Sequence, residues 1–255
     1  MNEDQDARAM LNKVPEVTLV FWILKILATT VGETAADVLS TTFNLGTVNT
    51  SYVMGALLLI TLFFQLRAKK YVPPIYWVVV VFISVVGTLI SDNLVDNLGV
   101  SLVTTTLIFT AVLAAVFVFW YTSEKTLSVH TIFTRRRELF YWAAILFTFS
   151  LGTSGGDLLS ERLGLGYPLS ALMFAAAIAL IYFAYRVGKM QEVLAFWLAY
   201  ILTRPLGASI GDMLTQPKDE GGLGLGTVPI SVVFLVAIVV LVVYLTRQER
   251  QKATT

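Results

Sequence analysis

The feature that most constrains this chain is a motif that recurs four times in register. Trp22, Trp77, Trp142 and Trp197 each follow another aromatic residue: Phe21, Tyr76, Tyr141 and Phe196. Ten residues after each Trp stands a glycine: Gly32, Gly87, Gly152 and Gly207. Five further on comes an aspartate (Asp37, Asp92, Asp157, Asp212), and two beyond it a leucine (Leu39, Leu94, Leu159, Leu214). The four Trp residues lie 55, 65 and 55 positions apart. Self-similarity at a near-fixed period marks a repeat architecture in which each copy is one supersecondary unit. The longer central spacing is taken up by SEKTLSVHTIFTRRRE, a boundary between two halves.

What each unit is made of follows from composition. The chain is 56% hydrophobic and only 14% charged, with mean hydropathy +0.76. Soluble domains carry about 25% charged residues. These values exclude an ordinary soluble enzyme, a disordered protein and a nucleic-acid binder. A net charge of +1 supplies no bulk field for polyanions. The absence of cysteine removes disulfides, thiolate metal sites and a cysteine nucleophile. Mostly apolar stretches cover 17–43, 51–66, 75–96, 101–121, 139–161, 168–186, 193–216 and 228–246. None alternates with a two-residue period, as a membrane barrel would require. The expected fold is all-α: a polytopic membrane protein of eight transmembrane helices, built as four two-helix repeats. The divisions are a polar N-terminal segment 1–16, repeats 17–70 and 71–121, a basic loop 122–138, repeats 139–189 and 190–247, and a tail 248–255. The segment 1–16 lacks the basic opening and short apolar core of a signal peptide, so the first span is expected to be retained.

Charge orients the bundle. Counting alternate connections from the N-terminus, nearly all Lys and Arg fall on the side of the termini. The exceptions are Arg162 and Lys218 on the other side, and Lys25 and Arg204 within spans. The positive-inside rule then places both termini in the cytoplasm. Two spans per unit give all four units the same orientation, so the repeats are parallel, related by an axis along the membrane normal. Each unit reads as one hairpin: a motif helix, a Gly-rich outer turn, and a plain apolar return helix.

The Trp pairs read as interfacial anchors. Fifteen residues separate each Trp from its Asp, about 22 Å of helix, which puts the aspartates toward the outer leaflet. The glycines suit close helix packing, or a broken helix lining a cavity. Residues four apart share a helix face. The face through each Asp reads Glu33, Asp37, Thr41; Thr88, Asp92, Asp96; Thr153, Asp157, Glu161; Ala208, Asp212, Gln216. Ionisable residues within a bilayer are costly and mark function by default. Carboxylates near one axis need a cation or protons to neutralise them, unless each caps or pairs locally. With carboxylate, hydroxyl and carbonyl donors and no Cys, the set Asp37, Asp92, Asp157, Asp212, Glu33, Asp96 and Glu161 suits Mn, Mg or Ca as transported cargo. No permanent cofactor is expected. The lone His130 lies in the basic loop, away from this stripe. Lys25, three residues past Trp22, is placed to snorkel to the cytoplasmic surface. Arg204 is too deep for that. It is expected to pair with an acid of another unit such as Glu33, or to serve as a counter-charge that a cation displaces.

With its paired helices and Gly-x4-Asp repeats, the whole chain resembles a family of bacterial inner-membrane proteins described only as membrane-anchored. That likeness implies a location, the inner (cytoplasmic) membrane of a bacterial cell with multiple passes, and no activity. The Gly-Asp pairs at 156–157 and 211–212 also look like part of the acidic motif of manganese and calcium exporters of the cation/proton exchanger type, though Leu or Met follows here. The resemblance implies a secondary transporter, an exporter of a divalent metal cation coupled to protons. Three other readings stay open: a cation channel with an acidic ring, a proton-coupled carrier of a small organic solute, and a non-transporting structural or sensing module. No nucleophile–base pair or cofactor motif suggests an enzyme. The expected partners are the bilayer, the cation and protons; the oligomeric state is left open.

Overall fold

In the computed structural model, residues 12–252 are described. Eight long helices run through them: α1 (Leu19–Asp37), α2 (Gly46–Arg67), α3 (Pro73–Asp92), α4 (Leu102–Glu124), α5 (Arg135–Asp157), α6 (Tyr167–Arg186), α7 (Glu192–Thr215) and α8 (Thr227–Lys252). No strand occurs among the described residues. The helices start where sequence provides caps. Thr18, Ser101 and Thr134 accept the backbone N–H three residues on, and Pro73 and Pro74 open α3. Seven helices are long and apolar enough to cross a membrane, the mark of a multi-pass membrane protein. The exception is α5, expected as a span like the others. It begins RRRE and ends in LGTSGGD, so it carries too many polar residues; Glu138, Thr148, Ser150, Thr153 and Ser154 are buried against its neighbours, while Arg135 and Arg136 are exposed.

The motif helices α1, α3, α5 and α7 form a closed ring, each touching the next, with α7 returning to α1. The return helices α2, α4, α6 and α8 sheathe this ring and turn large apolar side chains such as Leu59, Phe119, Tyr182 and Val240 outward. One expectation is corrected here. The sequence unit is a motif helix and the return helix after it, yet these two barely touch. Each return helix packs along the motif helix of the following unit: α2 on α3, α4 on α5, α6 on α7, and α8 back on α1. The interlocking closes the ring through the two ends of the chain, where Ser231 of α8 donates to Thr34 of α1 at 2.7 Å.

Two motif elements obey the same rule. A Cβ added at Gly32 would strike Ser84, at Gly87 Phe149, at Gly152 Arg204, and at Gly207 Thr29. Each of these is the residue three before the glycine of the next unit. The glycines are therefore close-packing positions, and the helices run unbroken through them. The aromatic pairs repeat the pattern. Phe21 meets Trp77, Tyr76 meets Trp142, Tyr141 meets Trp197, and Phe196 meets Trp22, with ring centroids 5.8, 5.3, 6.3 and 5.7 Å apart. These separations suit tilted aromatic contacts. The motif aromatics are thus core residues, not surface anchors: Phe21, Tyr76, Trp77, Tyr141, Trp142, Phe196 and Trp197 are all buried. Their rings pack together toward the basic end of the bundle.

At the other end, the backbone widens directly after three of the motif aspartates. Val38–Thr42, Asn93–Asn97 and Leu158–Arg162 are single π-helical turns. Such turns are rare and frequent at functional sites. The motif leucine carbonyls then accept the incoming chain, from Leu45 to Leu39, Val100 to Leu94, Leu165 to Leu159 and Leu225 to Leu214.

The N-terminal segment is more than a solvated leader. Lys13 and Val14 are buried at the basic end. Lys13 Nζ donates to Glu138 Oε2 at 2.6 Å, and Gln65 Nε2 to Glu138 Oε1 at 3.0 Å. Asn12 Nδ2 donates to the Val129 carbonyl, and the Asn12 carbonyl accepts from the Tyr71 N–H. Residues 1–11, including the acidic cluster and Arg8, and 253–255 of the tail lie outside the described residues.

Candidate functional site

Because like positions of the four motif helices face one another, the bundle axis can be followed level by level. At the basic end, Tyr76 and Tyr141 share a hydrogen bond between their hydroxyls and close the axis with Phe21 and Phe196. Four residues further along come Lys25, Val80, Ile145 and Tyr200, seven before each glycine. Then come Thr29, Ser84, Phe149 and Arg204, three before it. One residue past the glycine stand Glu33, Thr88, Thr153 and Ala208. The four motif aspartates follow one turn beyond.

Arg204 occupies the middle of this axis with no exposed surface. Its Nη2 donates to Glu33 Oε2, Thr88 Oγ1 and Thr153 Oγ1, each at 2.5 Å. The three acceptors are the same repeat position on α1, α3 and α5. The fourth copy of that position, on Arg204's own helix, is Ala208, whose small side chain leaves the guanidinium room. Gly152, packed under the Arg204 stem, lets α5 approach α7 closely. Pro205 sits within α7 beside it, a local loss of one helical hydrogen bond. The pairing with Glu33 suggested by sequence is present at 2.5 Å.

Lys25 departs from expectation. It is 1% exposed and turns inward along the axis instead of toward the surface. Its Nζ donates to Thr29 Oγ1 at 3.2 Å and lies 3.8 Å from the Phe149 ring centroid and 4.4 Å from that of Tyr200. Such cation–π contacts suit a desolvated ammonium. Sequence gave its depth near Trp22 but not the side of the helix it faces. The signal that could have found it is the asymmetry of its level: Lys, Val, Ile and Tyr at one repeat position.

The acidic groups lie toward the opposite end. Asp92 interacts electrostatically with Glu33, Asp37 and Asp96, and Asp212 with Glu33, Asp157 and Asp37; both feel Arg204. Glu33 and Asp212 are buried, and Asp37, Asp92 and Asp157 are partly exposed. Asp96 points to the surface beyond the ring, in the π-helical turn of its unit. The backbone of Glu161 lies in the equivalent turn of α5, and its side chain is outside what is described. Among the described residues, no three acidic or His side chains gather as a metal-binding set. Glu33 and the motif aspartates stand at two levels of the motif helices, about 6 Å apart along the helix. His130, exposed at the basic end, lies 3.4 Å from Glu192 and takes no part.

Seven apolar helices wrapped with an eighth around a buried polar axis have the features of a multi-pass helical membrane protein. The chain belongs to the family built on a Repeat of Unknown Function (DUF347), which matches residues 20–71, 75–126, 140–189 and 195–251. No curated protein and no solved structure matches it, and the likeness of its Gly-Asp pairs to manganese and calcium exporters finds no support there.

Proposed function

We propose that this protein is a secondary carrier in the cytoplasmic membrane, with both termini inside, that moves a divalent cation outward in exchange for protons. The observation that carries the reading is the seat of Arg204. A positive charge already rests on the axis, held by Glu33, Thr88 and Thr153 beneath the motif carboxylates. A cation arriving at Asp37, Asp92, Asp157 and Asp212 competes with Arg204 for Glu33. Its arrival frees the guanidinium and loosens the closed axis; protons on the carboxylates reset it. Fixed intramembrane carboxylates are the usual carriers of such exchange, and an all-oxygen donor set suits Mn²⁺, Mg²⁺ or Ca²⁺.

A second reading is favoured by the same contact. The group seated there is a planar organic cation, so a small organic cation fits the acceptors directly. A channel needs an open axis, and the Tyr76–Tyr141 closure and the Arg204 plug weigh against it.

The test is flux into liposomes carrying the purified protein, with Mn²⁺, Mg²⁺, Ca²⁺ and guanidinium as cargo and internal pH recorded together. Saturable metal flux with proton counterflow, lost in Asp92→Asn and Asp212→Asn, supports the first reading. Flux of guanidinium alone moves the cargo to the second. No flux of any cation, or activity unchanged in all four Asp→Asn variants, overturns the carrier.

A further inference from the structure

The hydrogen-bond inventory of the axis does not balance. Arg204 has no exposed surface, yet only its Nη2 finds acceptors; Nε and Nη1 have none. The Tyr200 hydroxyl, one helical turn away on the same face of α7, is also buried without a partner. Lys25 Nζ, with three hydrogens to donate, reaches a single oxygen, Thr29 Oγ1. Lys25 interacts electrostatically with Arg204, and the Phe149 ring lies against both cations, 3.8 Å from Lys25 Nζ and 5.9 Å from Arg204 Cζ. The region therefore holds two basic groups, one hydroxyl and spare donors. The carboxylate in contact with Arg204, Glu33, is already engaged by Nη2. Buried donors without acceptors are rare, and each costs about 1–3 kcal/mol. Water would satisfy donors but would leave two like charges facing one another. A negative charge satisfies both demands.

We propose that Lys25 and Arg204, flanked by the Phe149 and Tyr200 rings, bind one small monovalent anion of the size of chloride or formate between them. The anion accepts hydrogen bonds from Lys25 Nζ, the free face of Arg204 and the Tyr200 hydroxyl. It holds the two cations together and locks the axis in its closed form. The site is separate from the acidic ring and does not rest on the cation-carrier reading; binding is measured without any transport.

The experiment is equilibrium binding of radiolabelled chloride to the full chain in detergent, in gluconate buffer at fixed ionic strength, with formate as competitor. Thermal unfolding is recorded over the same titration. The expected result is one saturable site per chain and an unfolding midpoint that rises with chloride. Formate that displaces chloride extends the site to small carboxylates; formate that does not restricts it to halide. Lys25→Met is expected to weaken binding by roughly tenfold or more, the loss of one charge-assisted contact. Tyr200→Phe removes only the unpartnered hydroxyl, folds with the ring intact, and is expected to weaken binding several-fold. Absence of saturable binding to wild type, or binding unchanged in Tyr200→Phe and in folded Lys25→Met, overturns the proposal.

Discussion

Gly152 lies beneath the stem of Arg204, so that a methyl group at 152 would come within 2.5 Å of Arg204 Cβ and 3.1 Å of Pro205 Cδ. The contact sets how near α5 comes to α7, and so where the guanidinium sits on the axis. Gly152→Ala is expected to destabilise the protein by about 1–3 kcal/mol, the cost of overpacking. Gly55 of α2 has nothing within 4 Å of an added Cβ. Gly55→Ala is expected to be neutral or stabilising by up to about 1 kcal/mol through helix propensity. Thermal unfolding of both purified variants checks the contrast; equal effects would contradict the packing role of the motif glycines.

Removing the carboxylate at the centre leaves a charge without its partner. Glu33→Gln is expected to cost about 3–5 kcal/mol, because the buried Arg204 charge is left with neutral acceptors only. Removing both charges, as in Glu33→Gln with Arg204→Met, is expected to cost less than the sum of the single changes. A double-mutant cycle on unfolding free energies measures the difference, and strict additivity would contradict the ion pair.

The ring closure is testable without background, because the chain has no cysteine. Thr34 and Ser231 approach at 2.7 Å between α1 and α8. Ser51 of α2 and Asn93, just past α3, also approach, at 2.8 Å. Thr34→Cys with Ser231→Cys, and Ser51→Cys with Asn93→Cys, are expected to form disulfides within one chain on mild oxidation. Mobility shifts on non-reducing gels report this. Failure of both pairs would contradict the packing of return helices on the following unit.

At the basic end, Glu138 is fully buried between Lys13 and Gln65. Glu138→Gln keeps the shape and removes the charge that Lys13 faces. The expected result is release of the N-terminal segment, seen as faster proteolysis near Lys13, with a stability loss of about 3 kcal/mol. Unaltered cleavage would show that the strap is held by other contacts.

How much of this was legible in sequence divides along one line. Spacing along a helix fixes depth, so the four units, the level of the aspartates and the reach from Arg204 to Glu33 could be read from residue numbers. Spacing within a unit says nothing of which unit is the neighbour. The motif is a set of contacts with the next copy, from Gly32 to Ser84 and from Phe21 to Trp77, and a single copy does not show them. Azimuth was equally hidden for Lys25. Beside Trp22 it looked like a residue bound for the surface, and only the closed ring turns it inward onto Phe149. The π-helical turns after Asp37, Asp92 and Asp157 follow no shared breaker residue; VLSTT, NLVDN and LLSER have only the motif leucine in common.

The most direct test of the Arg204 gate is cation leak through Arg204→Gln in liposomes with no proton gradient, measured on protein that remains monodisperse. The seat of Arg204 on Glu33, Thr88 and Thr153 predicts that wild type passes cations only in exchange for protons, while Arg204→Gln lets them run down their gradient uncoupled. Arg204→Gln liposomes as tight as protein-free ones, alongside wild type with no coupled flux, would contradict a gated cation path.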